Sequence, residues 1–148
     1  MRRVVGVSSA LLCLFGAAES LSAQDAGSPA SPGQESGFSL EQNYPNPFNP
    51  ETTIPFALGD ELFVNGRPAV VSVRIFNLLQ QLIAHPVALG HPSGEGVEVR
   101  QLEYFQGGTY EAFWDGTDQA GRQVASGIYF MQLTVNAQSV TRKMYVLK

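Results

Sequence analysis

From Phe38 to Lys148 the chain offers no stretch along which a helix could propagate. Apolar residues recur at alternate positions in short runs, and Gly, Pro or Asn closes nearly every run. An isolated helix needs roughly a dozen residues of sustained pattern, whereas a strand needs only alternation, because successive side chains point to opposite faces. In Val71-Ser72-Val73-Arg74-Ile75-Phe76 the residues Val71, Val73 and Ile75 share one face, with Ser72 and Arg74 on the other. Ile128 to Val135 sets Tyr129, Met131, Leu133 and Val135 opposite Ile128 and Phe130, and Tyr110, Ala112 and Trp114 share a face. Thr52 to Leu58 is β-prone, but Pro55 has no N–H to donate and predicts an edge strand. Leu82 to Val87 is a shorter run, ended or bent at Pro86. Val97 to Phe105 and Tyr110 to Trp114 flank Gln106-Gly107-Gly108, which predicts a hairpin. Val140 to Leu147 closes the chain after a turn near Asn136-Ala137-Gln138. Two loops complete the pattern: Gly59 to Ala69, where Asn65-Gly66 signals a further short ribbon, and Gly90 to Gly96.

Seven short strands with regular punctuation predict an all-β fold, an antiparallel β-sandwich rather than the alternative small barrel. Composition agrees. Charged residues make up 15% of the 148, against about 25% in an average soluble protein. The excess lies in 15 Gly and 9 Pro, the turn formers. A net charge of −4 leaves no cationic surplus to neutralise phosphates, so a nucleic-acid partner is not expected.

The first residues read as an address. Met1-Arg2-Arg3 is a positive start, Val4 to Ala18 is apolar or small apart from Ser8 and Ser9, and Leu21-Ser22-Ala23 offers small residues. This order predicts a secretory signal peptide over residues 1–23, cleaved after Ala23. The competing reading, a membrane anchor, needs about 20 apolar residues, more than this run supplies. Cys13, the one cysteine of the chain, leaves with the signal, so the exported part must be stabilised by its core without disulfides. Residues 24–37 hold Gly, Ser, Pro, Ala and two acids but no aromatic or β-branched residue. Such a segment cannot offset its ordering entropy and reads as a disordered linker. Residues 38–148 must hold the fold.

Within that span, Pro45, Pro47 and Pro50 fix φ and bias the preceding residues toward extended geometry. Asn46 and Asn49 accommodate turns, and Tyr44 and Phe48 are apolar anchors. Trp114 suits the sandwich interior, provided its indole N–H finds an acceptor. Asp115-Gly116 and Ala120-Gly121 let the chain reverse. Three blocks together resemble a known family: Leu40-Glu41-Gln42-Asn43-Tyr44-Pro45-Asn46-Pro47-Phe48-Asn49-Pro50 with Glu51 to Ile54; Val73 to Gln81; and Gly108-Thr109-Tyr110, Trp114 to Asp118, Gly121-Arg122, Ala125 to Phe130 and Arg142 to Met144, ending at Lys148. In order and spacing they resemble the type A C-terminal sorting domain of type IX secretion. They are also similar to the immunoglobulin-like domain of the flagellar hook-capping protein.

The resemblance implies an immunoglobulin-like sandwich over 38–148, exported into the periplasm of a Gram-negative cell and recognised there by an outer-membrane translocon. It further implies a sortase-like peptidase, attachment to surface lipopolysaccharide, and a final location on the cell surface or outside the cell. By that analogy the recognition surface is the hairpin from Gly127 to Lys148, with Gly127, Ile128, Tyr129, Lys143 and Lys148 as candidate residues. Two departures from the family pattern stand out. Sorting domains usually trail a large passenger, while here only residues 24–37 separate signal and domain, as in a free-standing module or a truncated gene product. Gln80 also occupies a turn position where the family commonly has Gly. Alternative functions are a structural subunit or cap of an extracellular assembly and a carbohydrate-binding adhesive module, with Tyr104, Phe105 and Tyr110 as its aromatic platform.

No sequence pattern announces catalysis. There is no phosphate-binding Gly-rich loop, no nucleophile elbow and no His-Glu-x-x-His. His85 and His91 flank Pro-containing turns and read as surface histidines. Glu98, Glu103 and Glu111 fall on half-exposed strands. Asp115 and Asp118 are a candidate Ca²⁺ pair, but Ca²⁺ takes six to eight oxygens, and Asx-turns explain two loop aspartates better. The expectation is a non-enzymatic chain without cofactor, small-molecule substrate or nucleic acid.

Overall fold

The computed structural model describes residues 37–148; the expected signal peptide and all but the last residue of the expected linker lie outside the described residues. Nine strands form two antiparallel sheets packed face to face. The first sheet contains β1 (Phe38–Leu40), β2 (Thr52–Leu58), β5 (Val87–Leu89) and β7 (Gly108–Trp114), in the order β1-β2-β7-β5. The second contains β3 (Ala69–Phe76), β4 (Leu82–Ala84), β6 (Leu102–Tyr104), β8 (Gly127–Val135) and β9 (Gln138–Val146). Its order is β4-β3-β8-β9, with β6 paired to the first half of β3. This is the strand order of an immunoglobulin-like sandwich, four strands facing a sheet built on the third, penultimate and last strands.

The alternating patterns produce the core. Val71, Val73 and Ile75 on β3 and Met131 and Leu133 on β8 are fully buried. They meet Ile54 and Phe56 from β2 and Ala112 and Trp114 from β7, as sheet-on-sheet packing requires. Each such side chain stabilises the fold by about 1.5–3 kcal/mol relative to exposure. Tyr129, near the start of β8, donates its hydroxyl to the Ala125 carbonyl at 3.0 Å, the corner device characteristic of this fold.

Four expectations need correction. The strand holding Pro55 is not an edge, since β2 lies between β1 and β7. Pro55 is tolerated because a residue's N and C=O point to the same side. Its carbonyl accepts from Glu41 N at 3.0 Å, just beyond the end of β1, so the missing N–H faces the place where that ladder stops. The run around Pro86 divides into β4 and β5, which belong to different sheets. Gln106-Gly107-Gly108 is not a hairpin: β6 pairs with β3 and β7 with β2, so the segment arches from one sheet to the other. Asn65-Gly66 carries no ribbon, because a 3₁₀ turn over Asp60–Phe63 takes up that loop. Splitting at Pro86 and the additional β1 raise the strand count from seven to nine, and the run from Val97 to Phe105 shrinks to β6.

The Pro/Asn block stitches the two sheets together. Tyr44 exchanges both backbone hydrogen bonds with Thr53 of β2 at 2.9 Å. Four residues later Phe48 lies parallel to β9, receiving Leu147 N at 3.0 Å and donating to Tyr145 O at 3.1 Å. Asn46 Oδ1 accepts from Tyr145 N, Gln42 Nε2 donates to Lys143 O, and Arg142 Nε donates to Leu40 O. Between these contacts Asn43, only 2% exposed, donates to Pro45 O at 3.2 Å and Thr52 Oγ1 at 3.0 Å. The prolines at 45, 47 and 50 all follow cis peptide bonds.

Candidate recognition surface

Phe48 is buried beneath this stitch and meets Trp114 edge-on, ring centroids 5.4 Å apart; Trp114 meets Tyr129 in the same way at 5.9 Å. The indole Nε1–H donates to Thr117 O at 2.9 Å, the acceptor that the sequence demanded. Phe48 is therefore the anchor the sequence predicts, but Tyr44 is not: it is half exposed and its hydroxyl donates to Glu111, which holds the phenol above its ordinary value. Gly116 has φ +76° and lies against the Pro50 carbonyl, tying the Trp-Asp-Gly turn to the Pro/Asn block.

All three motif blocks thus meet at one end of the sandwich. There, Asn77, Leu78 and Leu79 line a shallow cavity of about 210 Å³ with Ser126, Gly127, Ile128 and Tyr129. The turn is shaped by Asn77, whose Oδ1 accepts from Leu79 N and Gln81 N, and by Gln80 at φ +59°. Gln80 adopts the left-handed backbone that usually favours Gly, and Leu79 is left 78% exposed. Ile128 pairs across the sheet with the exposed Tyr145, and Phe130 with Lys143 on one side and Phe76 on the other. Leu78, Leu79, Ile128, Phe130, Tyr145 and Leu147 give this end an apolar outer surface. Lys143 Nζ lies 5.6 Å from the Tyr145 ring centroid, within cation–π range.

Of the candidate recognition residues, Gly127, Lys143 and Lys148 are exposed and Ile128 is half buried. Tyr129 points into the core, where it serves the fold. The sequence reading missed Leu78 and Leu79; two adjacent leucines between Asn77 and Gln80 in a turn were the available signal. The free edge of β9 is also shorter than the sequence implied. The block from Gln42 to Phe48 covers Lys143 O and the backbone of Tyr145 and Leu147, leaving the part around Ser139 and Thr141 open.

The other candidates resolve into structural roles. Asp115 Oδ1 accepts from the Thr117 N–H and hydroxyl. Asp118 Oδ1 accepts from Ala120 N and Arg122 N, and its Oδ2 pairs with the Arg122 guanidinium at 2.9 Å. Those hydrogen bonds, led by the Arg122 backbone N–H, hold the Asp118 carboxyl below its usual value. Among the described residues no three His, Cys, Asp or Glu side chains are placed to share a cation. His91 is not a surface histidine: it is buried against Tyr104, with Nδ1 accepting from Ser93 N and Nε2 bonded to Glu103 O. Tyr104 is also buried, packed edge-on to Phe56 and Tyr110, and burial pushes its phenol up to about 12. Of the supposed aromatic platform Tyr104 is buried, Tyr110 is half-buried and Phe105 is exposed.

No family model matches the chain, and neither does any curated protein. Among solved structures, dimeric latent PorU from Porphyromonas gingivalis shares the fold with a TM-score of 0.51 at 18% identity, over 74% of this chain and 9% of that one. PorZ from the same organism, an essential bacterial surface component of its type IX secretion system, gives 0.43 at 22% identity, over 83% of this chain and 13% of that one. The DNA glycosylase AlkC of Pseudomonas fluorescens gives 0.46 at 11% identity, over 76% and 31%. The chain thus spans about a tenth of the length of the two Porphyromonas proteins. The likeness to PorU is one of fold, an immunoglobulin-like sandwich carried as a small part of a much longer protein.

Proposed function

We propose that this chain is a non-catalytic sorting and surface-attachment module read by the type IX outer-membrane machinery. The observation that carries the proposal is the convergence of three motif blocks, far apart in sequence, on one end of the sandwich. Blocks kept only for packing would have no reason to leave Leu78 and Leu79 in solvent beside Gly127 and Ile128. An apolar surface rimmed by Lys143 and Lys148 suits a protein partner, here the translocon, with the sortase-like peptidase and surface lipopolysaccharide as later partners. The PorU likeness supports the fold half of this reading. Export by the signal peptide would place the protein at the surface of a Gram-negative cell or outside it. The adhesive alternative loses support because Tyr104 is core, and nothing in the geometry favours a capping subunit.

The test is a reporter carrying residues 24–148 behind a signal peptide in a host with the type IX machinery. Surface display should occur, and Leu78→Ser with Leu79→Ser should abolish it while leaving a folded periplasmic product. Periplasmic retention of the parent fusion, or undiminished display of the double variant, would refute the proposal.

A further inference from the structure

A second feature lies away from that end, on the outer face of the five-stranded sheet. Ser72, Arg74, His85, Arg100, Gln101 and Thr134 line an open cavity of about 430 Å³ together with Val70 and Ala137. The chain is acidic overall, yet two arginines line this cavity and no carboxylate does. Arg74 projects from the middle of β3. Its Nη2 donates to Thr134 Oγ1 at a long 3.3 Å, its guanidinium lies 5.9 Å from the Phe76 ring centroid, and its Nε is shut off from solvent with no acceptor. A guanidinium offers five donors, and the one acceptor Arg74 meets among the described residues is Thr134 Oγ1. Among the described residues Arg74 makes no ion pair, and Arg100 makes only an exposed one, with Glu98 at 3.6 Å.

We propose that this face binds a phosphate monoester, held by Arg74 and Arg100. Two guanidinium forks match the oxygens of a dianion, and the Ser72 and Thr134 hydroxyls and the Gln101 amide supply further partners. His85 is the built-in reporter. Its Nδ1 donates to Val73 O at 3.3 Å. Burial, then the positive charge of Arg100, and more weakly Arg74, hold the imidazole below its usual value, with the hydrogen bond to Val73 O and then Glu98 opposing them. Asp115, Asp118 and Glu98 line a separate cavity that His85 also borders, and neither aspartate lines the one that holds the arginines. A dianion seated between the arginines offsets their field and raises the His85 pKa.

The purified chain is titrated with inorganic phosphate and with glucose 6-phosphate at fixed ionic strength, following the His85 ring and the Ser72, Gln101 and Thr134 amides by NMR. Saturable shifts are expected, with a rise in the His85 pKa. Arg100→Gln, at an exposed and foldable position, should weaken binding by about tenfold or more. Arg74→Lys should weaken it while preserving charge, and Lys143→Gln, which removes the same charge elsewhere, should leave it intact. Absence of saturation, equal losses in Arg100→Gln and Lys143→Gln, or equal binding of acetate would overturn the assignment. Binding of the sugar phosphate alone points to a phosphorylated saccharide, and equal binding of both probes to the phosphoryl group itself.

Discussion

Gly116 and Gly121 share a backbone conformation, φ +76°, but not an environment. A Cβ on Gly116 would stand 2.2 Å from the Pro50 carbonyl oxygen, while one on Gly121 would meet nothing within 4 Å. The left-handed conformation costs a non-glycine residue roughly 1–2 kcal/mol, and both alanine variants incur it. Only Gly116→Ala must also displace backbone. That carbonyl has little room to retreat, since Phe48 is bonded to β9 on one side and Thr52 is paired with Trp114 on the other. Overpacking against a fixed neighbour costs about 1–3 kcal/mol more. Gly116→Ala should therefore lose about 2–5 kcal/mol and Gly121→Ala about 1–2. Urea unfolding measures the gap directly: with slopes of about 1–3 kcal/mol per molar, the two midpoints should differ by roughly 1 M at equal slope. Coincident midpoints, or a lower one for Gly121→Ala, would refute the claim that the Trp-Asp-Gly turn is locked against the Pro/Asn block.

Phe48→Ala should cost about 3–5 kcal/mol in thermal or urea unfolding and, by loosening the segment that covers β9, should promote concentration-dependent self-association by sedimentation. A variant that stays monomeric at high concentration would contradict that covering role. Trp114→Phe keeps the apolar bulk but strips the donor from Thr117 O, so circular dichroism melts should show a loss of about 1–3 kcal/mol; a neutral result would deny the hydrogen bond its importance. The buried Tyr104 phenol, raised to about 12 from 10, keeps its proton in the folded state. Its stabilising contribution is complete below pH 10 and is lost as pH climbs through about 12, a change on the order of 2–3 kcal/mol. Tyr104→Phe should accordingly flatten the decline in stability over that window, and an unchanged decline would show that another group is responsible.

The sandwich was legible because alternation determines which side chains face inward. Val71, Val73, Ile75, Met131 and Leu133 all lie where period two puts them, and Trp114 found its acceptor. Pairing partners were less legible. Pro55 looked like an edge signal, yet a proline can lie inside a sheet when its missing donor faces the end of a short neighbour. Gly107-Gly108 looked like a hairpin, but burial of Tyr104 against Phe56 and Tyr110 fixes an arch between sheets, a long-range preference that local turn residues do not encode. His91 misled for the same reason, since nothing near it in sequence announces Tyr104 as its neighbour. At the candidate surface, Gly127, Ile128, Lys143 and Lys148 came from family analogy. Leu78 and Leu79 emerged only once the turn at Gln80 had been placed beside β8, and the Arg74–Arg100 pair only once β3 was set beside the segment following β5.

The parallel bridge between Phe48 and Val146 gives the domain a particular mechanical character. Both segments run in the same direction, so a pull that draws the amino-terminal side one way and Lys148 the other loads their mutual contacts in shear. Shear strains several bonds at once, whereas peeling breaks them one at a time. The segment that follows β1 is fastened to β9, so once β1 is loaded, tension between the two sides is carried by that fastening rather than by β2 alone.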